Sequence, residues 1–198
     1  MLSSRACAIN QVKIYEDGAH AMEVQGTTTQ ELAKLILDVG CGNTPRGDVN
    51  VDRFMEGTIH RGGAELNVKH IPNFVLADSQ HLPFRGGCFE KVVSYHVIEH
   101  VPEPMLMLKE MTRVSNHYVF VRCPHRFSVF NRGNGTGSII PFTFRFLLFG
   151  NKSHVRRGFS VGWFRQAFEM LHWHVIREKI VYALLGTPEE VIVKAEKL

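Results

Sequence analysis

The sequence predicts an α/β protein built on an open, mostly parallel sheet with helices on both faces. Three observations predict it. Five short apolar runs end at glycine or polar residues, as buried parallel strands do. Helix-period segments are interleaved with them. The C-terminal stretch reads as two strands about a Gly-Thr-Pro turn, an antiparallel pair that brings the strands to seven. At 198 residues and 22.5 kDa the chain suits one domain with a full core.

Residues 1–30 are weakly patterned and read as an N-terminal extension. Within it Gln11 to Tyr15 reads as a short strand, and Thr27-Thr28-Thr29 as a cap for a short helix over Gln30 to Lys34. Leu35 to Val39 is the first apolar run and enters the turn Gly40-Cys41-Gly42. Val49 to Asp52, Phe74 to Asp78, Lys91 to Tyr95 and His117 to Val121 are the next four. Residues 31–123 thus form the expected ligand-binding core. Glu103 to Val114 is a helix, with Pro104 in its first turn and Met105, Leu108, Met111 and Thr112 at helical spacing. Residues 124–160 are read as a basic, aromatic lid or substrate insert containing the loop Gly133 to Gly137. Ser160 caps a second helix over Val161 to Leu171, whose stripe of Trp163, Phe164, Ala167, Phe168 and Leu171 belongs to the core. Trp173 to Ala183 and Val191 to Ala195 are the terminal strands, so 161–198 is a helix plus a strand pair. The whole is a Rossmann-like, doubly wound architecture.

Composition excludes several classes. Apolar residues are 44% and charged residues 21%, which suits neither a disordered nor a collagen-like chain. The greasiest run, Ile139 to Phe149, is too short to span a bilayer and holds Pro141 and Arg145. The first residues lack the apolar core of a secretory signal. Cys7, Cys41, Cys88 and Cys123 are widely spaced with no CxxC pair, which argues against a disulfide framework or a zinc ribbon and for a reducing cytoplasm. The net charge is only +4, but its placement is uneven. Between Glu110 and Glu169 there are nine Lys and Arg and no acidic residue, interleaved with aromatics. That pattern suits an anionic partner, or a solvated basic face over an ordinary aromatic core.

The strand ends carry the candidate chemistry. Glycine at the first turn lets the backbone approach a ligand closely. Asp38 can accept from an ammonium or hydroxyl group. Asp52 can accept two hydrogen bonds from a ribose diol, and Asp78 one from an adenine amino group. Helix caps and turn formers are the plainer account of these aspartates. Three of them on one sheet edge are more specific than any single glycine motif.

Leu35 to Asp52 (LILDVGCGNTPRGDVNVD), Ala77 to Phe84 (ADSQHLPF) and Phe89 to Val101 (FEKVVSYHVIEHV) resemble class I S-adenosylmethionine-dependent methyltransferases, in the type 11-like branch. The resemblance covers roughly residues 31 to 123 and implies S-adenosylmethionine as cofactor. It implies that Gly40, Cys41 and Gly42 face the methionine part. Asp52 would bind the ribose, with Arg53 beside the adenine. Asp78 and Ser79 would contact the adenine, and Tyr95 and His96 would sit under the sulfonium or the adenine edge. Two features depart from the family pattern. Pro45 stands where a third glycine is expected, and the link from Gly40 to Val49 is too short for a helical crossover. A first helix reduced to a turn accounts for this better than a misplaced second strand. A dinucleotide site would instead want a third glycine opening a helix under a pyrophosphate.

Rival readings stay open at this stage. His96-Val97-Ile98-Glu99-His100 matches HxxEH, so a helix there would offer two histidines to zinc and Glu99 to a water, with Glu103 or His125 as third ligand. Pro102 and Pro104 interrupt that helix, and no metal site is expected. A non-catalytic nucleoside-binding module is the other rival. For methyl transfer, His125 and His96 are the candidate general bases. The expected acceptor is a small molecule or an anionic substrate. Nucleic acid is a lesser option, since no RNA-binding module and no NPPY-type motif is present.

Overall fold

The structure is a computed structural model and describes residues 34–57, 65–126, 128, 158–183, 186 and 188–198. The expected strand at Gln11 to Tyr15, the helix at Gln30 to Lys34 and most of the 124–160 insert lie outside the described residues. Seven strands form one sheet: β1 (Ile36–Val39), β2 (Val49–Asp52), β3 (Phe74–Leu76), β4 (Phe89–Tyr95), β5 (Ser115–Pro124), β6 (Trp173–Tyr182) and β7 (Pro188–Lys197). Their order is β3-β2-β1-β4-β5-β7-β6. β1 to β5 run parallel, while β7 pairs antiparallel with both β5 and β6. The strand order reverses at β1, between β2 and β4, which places a crevice beyond the carboxyl ends there.

The inner strands bury their apolar residues completely: Leu37, Val39, Val51, Val92, Val119 and Val121 are all within 1% of full burial. β7 alternates, with Val191, Val193 and Ala195 inward and Ile192, Lys194 and Glu196 half-buried. β6 is the edge, and its polar residues His174, Arg177, Glu178 and Lys179 discourage further strand addition.

Helix α1 (Pro104–Val114) starts with proline at its first position, where a missing N–H costs nothing. It buries Met107, Leu108, Met111 and Val114 against the sheet. Met105 is only half-buried, so the buried stripe is centred on Met107, a residue the sequence pattern passed over. Thr112 Oγ1 donates back to Leu108 O at 2.9 Å, which satisfies its buried hydroxyl. Helix α2 (Val161–Met170) is capped as expected, with Ser160 Oγ accepting the Trp163 N–H at 3.2 Å. Phe159, Trp163, Phe164 and Phe168 form a chain of ring contacts on its inner side. α1 and α2 touch each other, so both described α-helices cover the same face of the sheet.

Arg113 secures the segment before β4. Its guanidinium pairs with Glu110 and donates to Phe84 O at 2.7 Å and Leu82 O at 3.0 Å, while Glu110 accepts the Leu82 N–H at 2.8 Å. The Leu82-Pro83-Phe84 stretch is thus held by α1 from above while Leu82 and Phe84 are buried in the core. Cys41 and Cys123 are free and buried. Cys88 is disulfide-bonded, a bridge the cysteine spacing did not predict.

The link from β1 to β2 contains turns and no helix. It can be this short because it folds back under β1. Asp48 N–H donates to Ile36 O at 2.9 Å, and Asp48 Oδ2 accepts the Ile36 N–H at 2.8 Å. A Cβ on Gly47 would lie 2.6 to 2.8 Å from Val49 O, Asp38 N and Ile36 O, all backbone atoms that cannot yield separately. Gly47→Ala is therefore expected to lower the stability by about 2 kcal/mol through forced displacement of packed atoms. A denaturant midpoint equal to wild type would show that the link tolerates a side chain.

Candidate active site at the carboxyl ends of β1, β2 and β4

A cavity of about 380 Å³ opens at the crevice, within the range of small-molecule sites. The link supplies Gly40, Cys41, Gly42, Thr44 and Arg46 to its wall. The end of β2 supplies Val51, Asp52, Arg53 and Phe54, and Ala77 and Ser79 follow β3. Tyr95 ends β4, and His96, Val97 and His100 come from the segment after it.

The glycine turn is built by β2. Gly40 N–H and Cys41 N–H both donate to Val51 O, at 2.7 and 3.1 Å. Gly42 N–H donates to Asp52 Oδ2 at 3.0 Å, and Phe54 N–H to Asp52 Oδ1 at 3.2 Å. Asp52 is 4% exposed, so its carboxylate is fixed by two backbone amides while it borders the cavity. Gly40 adopts φ +79°, and a Cβ there would meet Val97 Cγ2 at 2.2 Å. Its place in the wall requires glycine both for conformation and for space. Beneath the turn, Ser94 Oγ donates to Val39 O at 2.9 Å and ties β4 to β1.

Of the residues singled out in the sequence, Gly40, Cys41, Gly42, Asp52, Arg53, Ser79, Tyr95 and His96 line this one cavity. Asp38, Asp78 and His125 do not. Asp38 is fully buried one residue before the end of β1, and its Oδ2 accepts the Arg46 N–H at 2.9 Å. Its Oδ1 is buried with no partner among the described residues. Asp78 lies two residues beyond β3, which ends at Leu76, and its carboxylate accepts from Gln80 N–H at 2.9 Å and from Gln80 Nε2 at 3.2 Å. Burial pushes the Asp78 carboxyl up, but the Gln80 hydrogen bonds and the charge of Arg53 outweigh it and hold the carboxyl below its ordinary value. The three aspartates therefore share one sheet edge, while only Asp52 borders the cavity directly. His125 follows β5, which runs on to Pro124; it is 6% exposed and its backbone N–H donates to Glu189 O at 2.9 Å. Burial, then Arg126, lower its pKa.

Arg46 is a charged lining residue that the sequence reading did not single out. Its guanidinium carbon lies 4.3 Å from the Tyr95 ring centroid, a cation–π distance. The network behind His96 was also missed. His96 stands at φ +57° with its N–H donated to Arg122 O at 2.8 Å. Its Nε2 is 3.1 Å from Glu190 Oε1, and Glu190 Oε2 accepts from Arg122. Glu99 is 2% exposed, with Oε1 at 3.7 Å from His96 Nδ1 and 3.8 Å from His100 Nε2.

The HxxEH reading fails on geometry. Only Ile98–His100 are helical, as a 3₁₀ turn, and His96 lies outside it in the left-handed region. His96 and His100 thus do not present one α-helical face to a metal. Among the described residues no group of three or more His, Cys, Asp and Glu side chains is arranged to hold one.

The strand order and the cavity at its switch point are those of a doubly wound α/β fold with a ligand-sized crevice. Residues 50–118 match the family model described as a methyltransferase domain. No curated protein sequence matches the chain. Among solved structures, an S-adenosylmethionine-dependent methyltransferase from Methanosarcina mazei superposes with a TM-score of 0.54 at 16% identity, covering 84% of this chain and 93% of that one. One from Mesorhizobium loti gives 0.56 at 14% identity, covering 84% and 93%. Magnesium protoporphyrin IX methyltransferase from Synechocystis, solved with bound S-adenosylmethionine, gives 0.51 at 13% identity, covering 83% and 70%. These are likenesses of fold. Residues 50–118 thus match a methyltransferase domain, and the chain shares its fold with these S-adenosylmethionine-dependent methyltransferases.

Burial raises the Asp38 carboxyl from 3.8 to about 6, against the opposing pull of the Arg46 N–H and guanidinium. A carboxyl raised in the fold favours folding at low pH, and that contribution is lost as pH rises through the folded value. Asp38→Asn should therefore abolish a decline in stability that the wild type shows between pH 4 and about 6. Parallel stability-versus-pH curves for the two proteins would refute this.

Proposed function

We propose that the chain transfers the methyl group of S-adenosylmethionine to a small-molecule acceptor, with the cofactor held by Gly40, Cys41, Gly42, Asp52, Arg53, Ser79, Tyr95 and His96. The observation that carries this is Asp52. It is nearly buried, immobilised by the Gly42 and Phe54 amides, and set at the end of β2 on the cavity wall. Each carboxylate oxygen accepts more than one hydrogen bond, so a ribose diol can be received without breaking the amide bonds. The bare backbone at Gly40 and the cavity volume also fit the group.

When bound, S-adenosylmethionine supplies a methyl carbon activated by a sulfonium for in-line displacement. The protein's part is alignment and exclusion of water. Tyr95 offers an aromatic face at the end of β4. His96 stands at the cavity wall, 45% exposed, and is better placed than buried His125 to receive a proton from the acceptor. Asp38 acts through the link it anchors, and Asp78 through the Ala77–Ser79 segment on either side of it.

The surplus of cations along 122–165 supports an anionic group on the acceptor. Part of that charge is already met: Arg122 pairs with Glu190 and Arg165 with Glu178. This favours a small anion over a long polyanion, so binding should lack the steep salt dependence of nucleic-acid complexes.

Calorimetric titration with S-adenosylmethionine and S-adenosylhomocysteine tests the reading. Asp52→Ala should weaken both about 10- to 100-fold, the worth of hydrogen bonds to a charged group. Absence of binding by the wild-type chain would overturn the assignment of the site.

A further inference from the structure

One cation inside the cavity has no place in the account so far. Arg46 sits in the helix-free link, and its backbone is pinned by the bond from its N–H to Asp38 Oδ2 at 2.9 Å. Its Nη1 donates to Thr44 O at 3.1 Å, and its plane is held 4.3 Å from the Tyr95 centroid. The remaining guanidinium N–H groups make no hydrogen bond among the described residues. A guanidinium fork held by an aromatic face and a main-chain carbonyl is preorganised for a planar anion.

Position decides which anion. Asp52 fixes the ribose end in the reading above, and Gly42 is hydrogen-bonded to it. A ligand running from Asp52 along the Gly40–Gly42 turn arrives at Arg46 and Tyr95. Arg53 lies on the other side, its guanidinium 5.7 Å from the Phe54 ring centroid and its charge felt by Asp78. In doubly wound sheets an anion at this turn is received by the N-terminus of the following helix, whose amides and dipole favour negative charge. This chain has no helix there, and Arg46 supplies the positive charge instead.

We propose that Arg46 is the carboxylate clamp of the site, pairing with the α-carboxylate at the amino-acid end of the cofactor and so selecting ligands that carry one. The proposal rests on the cofactor reading above and is separable from it. S-Adenosylhomocysteine carries the carboxylate, while 5′-methylthioadenosine keeps the nucleoside and thioether without it.

Both probes are titrated calorimetrically into the wild type and the Arg46→Met and Arg46→Lys variants. Arg46→Met should weaken S-adenosylhomocysteine about 10- to 100-fold. It should leave 5′-methylthioadenosine within about twofold, and Arg46→Lys should recover part of the loss because it restores the charge without the fork. Unchanged S-adenosylhomocysteine affinity in Arg46→Met, or an equal loss for both probes, would overturn the clamp while leaving the nucleoside site standing. A wild-type chain that binds neither probe would overturn the cofactor reading itself. Arg46 is exposed and supports no core packing, so the variants should fold.

Discussion

The end of β2 holds the first turn of the protein in place, and the site follows from that contact. Val51 O receives two amides of the turn, and Asp52 receives a third. With those bonds made, Gly40 is pressed against Val97, and the segment after β4 becomes the opposite wall. A turn free of β2 would leave the cavity with no wall on that side. The same carboxylate that shapes the turn faces the space the turn encloses.

Much of this arrangement was legible in the sequence because it is local. The run into Gly40-Cys41-Gly42, the Asp52 strand end, the Ser160 cap and the terminal strand pair are each set by residues close together in the chain. Even the short link was correctly read as lacking a helix, since nothing between Gly40 and Val49 gives room for one. What escaped is set by contacts across the fold. Arg46 looks like one more loop arginine until the bond from its N–H to Asp38 turns it inward. Asp38 was read as a ligand group because its place before the glycines suggests one; its Oδ2 is engaged by the link. Glu190 reaches His96 only because β7 pairs antiparallel with β5 in a register that sets Glu190 opposite Pro124.

The electrostatics are less one-sided than the acid-free stretch suggests. Arg113, Arg122 and Arg165 all find carboxylates outside that stretch, two of them on β6 and β7. Behind His96 the wall carries Glu99 and Glu190 against one arginine. The cavity itself is lined by Arg46 and Arg53 and by one carboxylate, Asp52, while Glu99 and Glu190 stand behind His96.

The bond from Ser94 to Val39 has a mechanical consequence. It adds a side-chain tie to the main-chain ladder between β1 and β4, the two strands at which the sheet changes direction. That tie lies beneath the crevice, so the link and the turn after β4, which wall the cavity on either side of it, rise from two strands joined by both main chain and side chain.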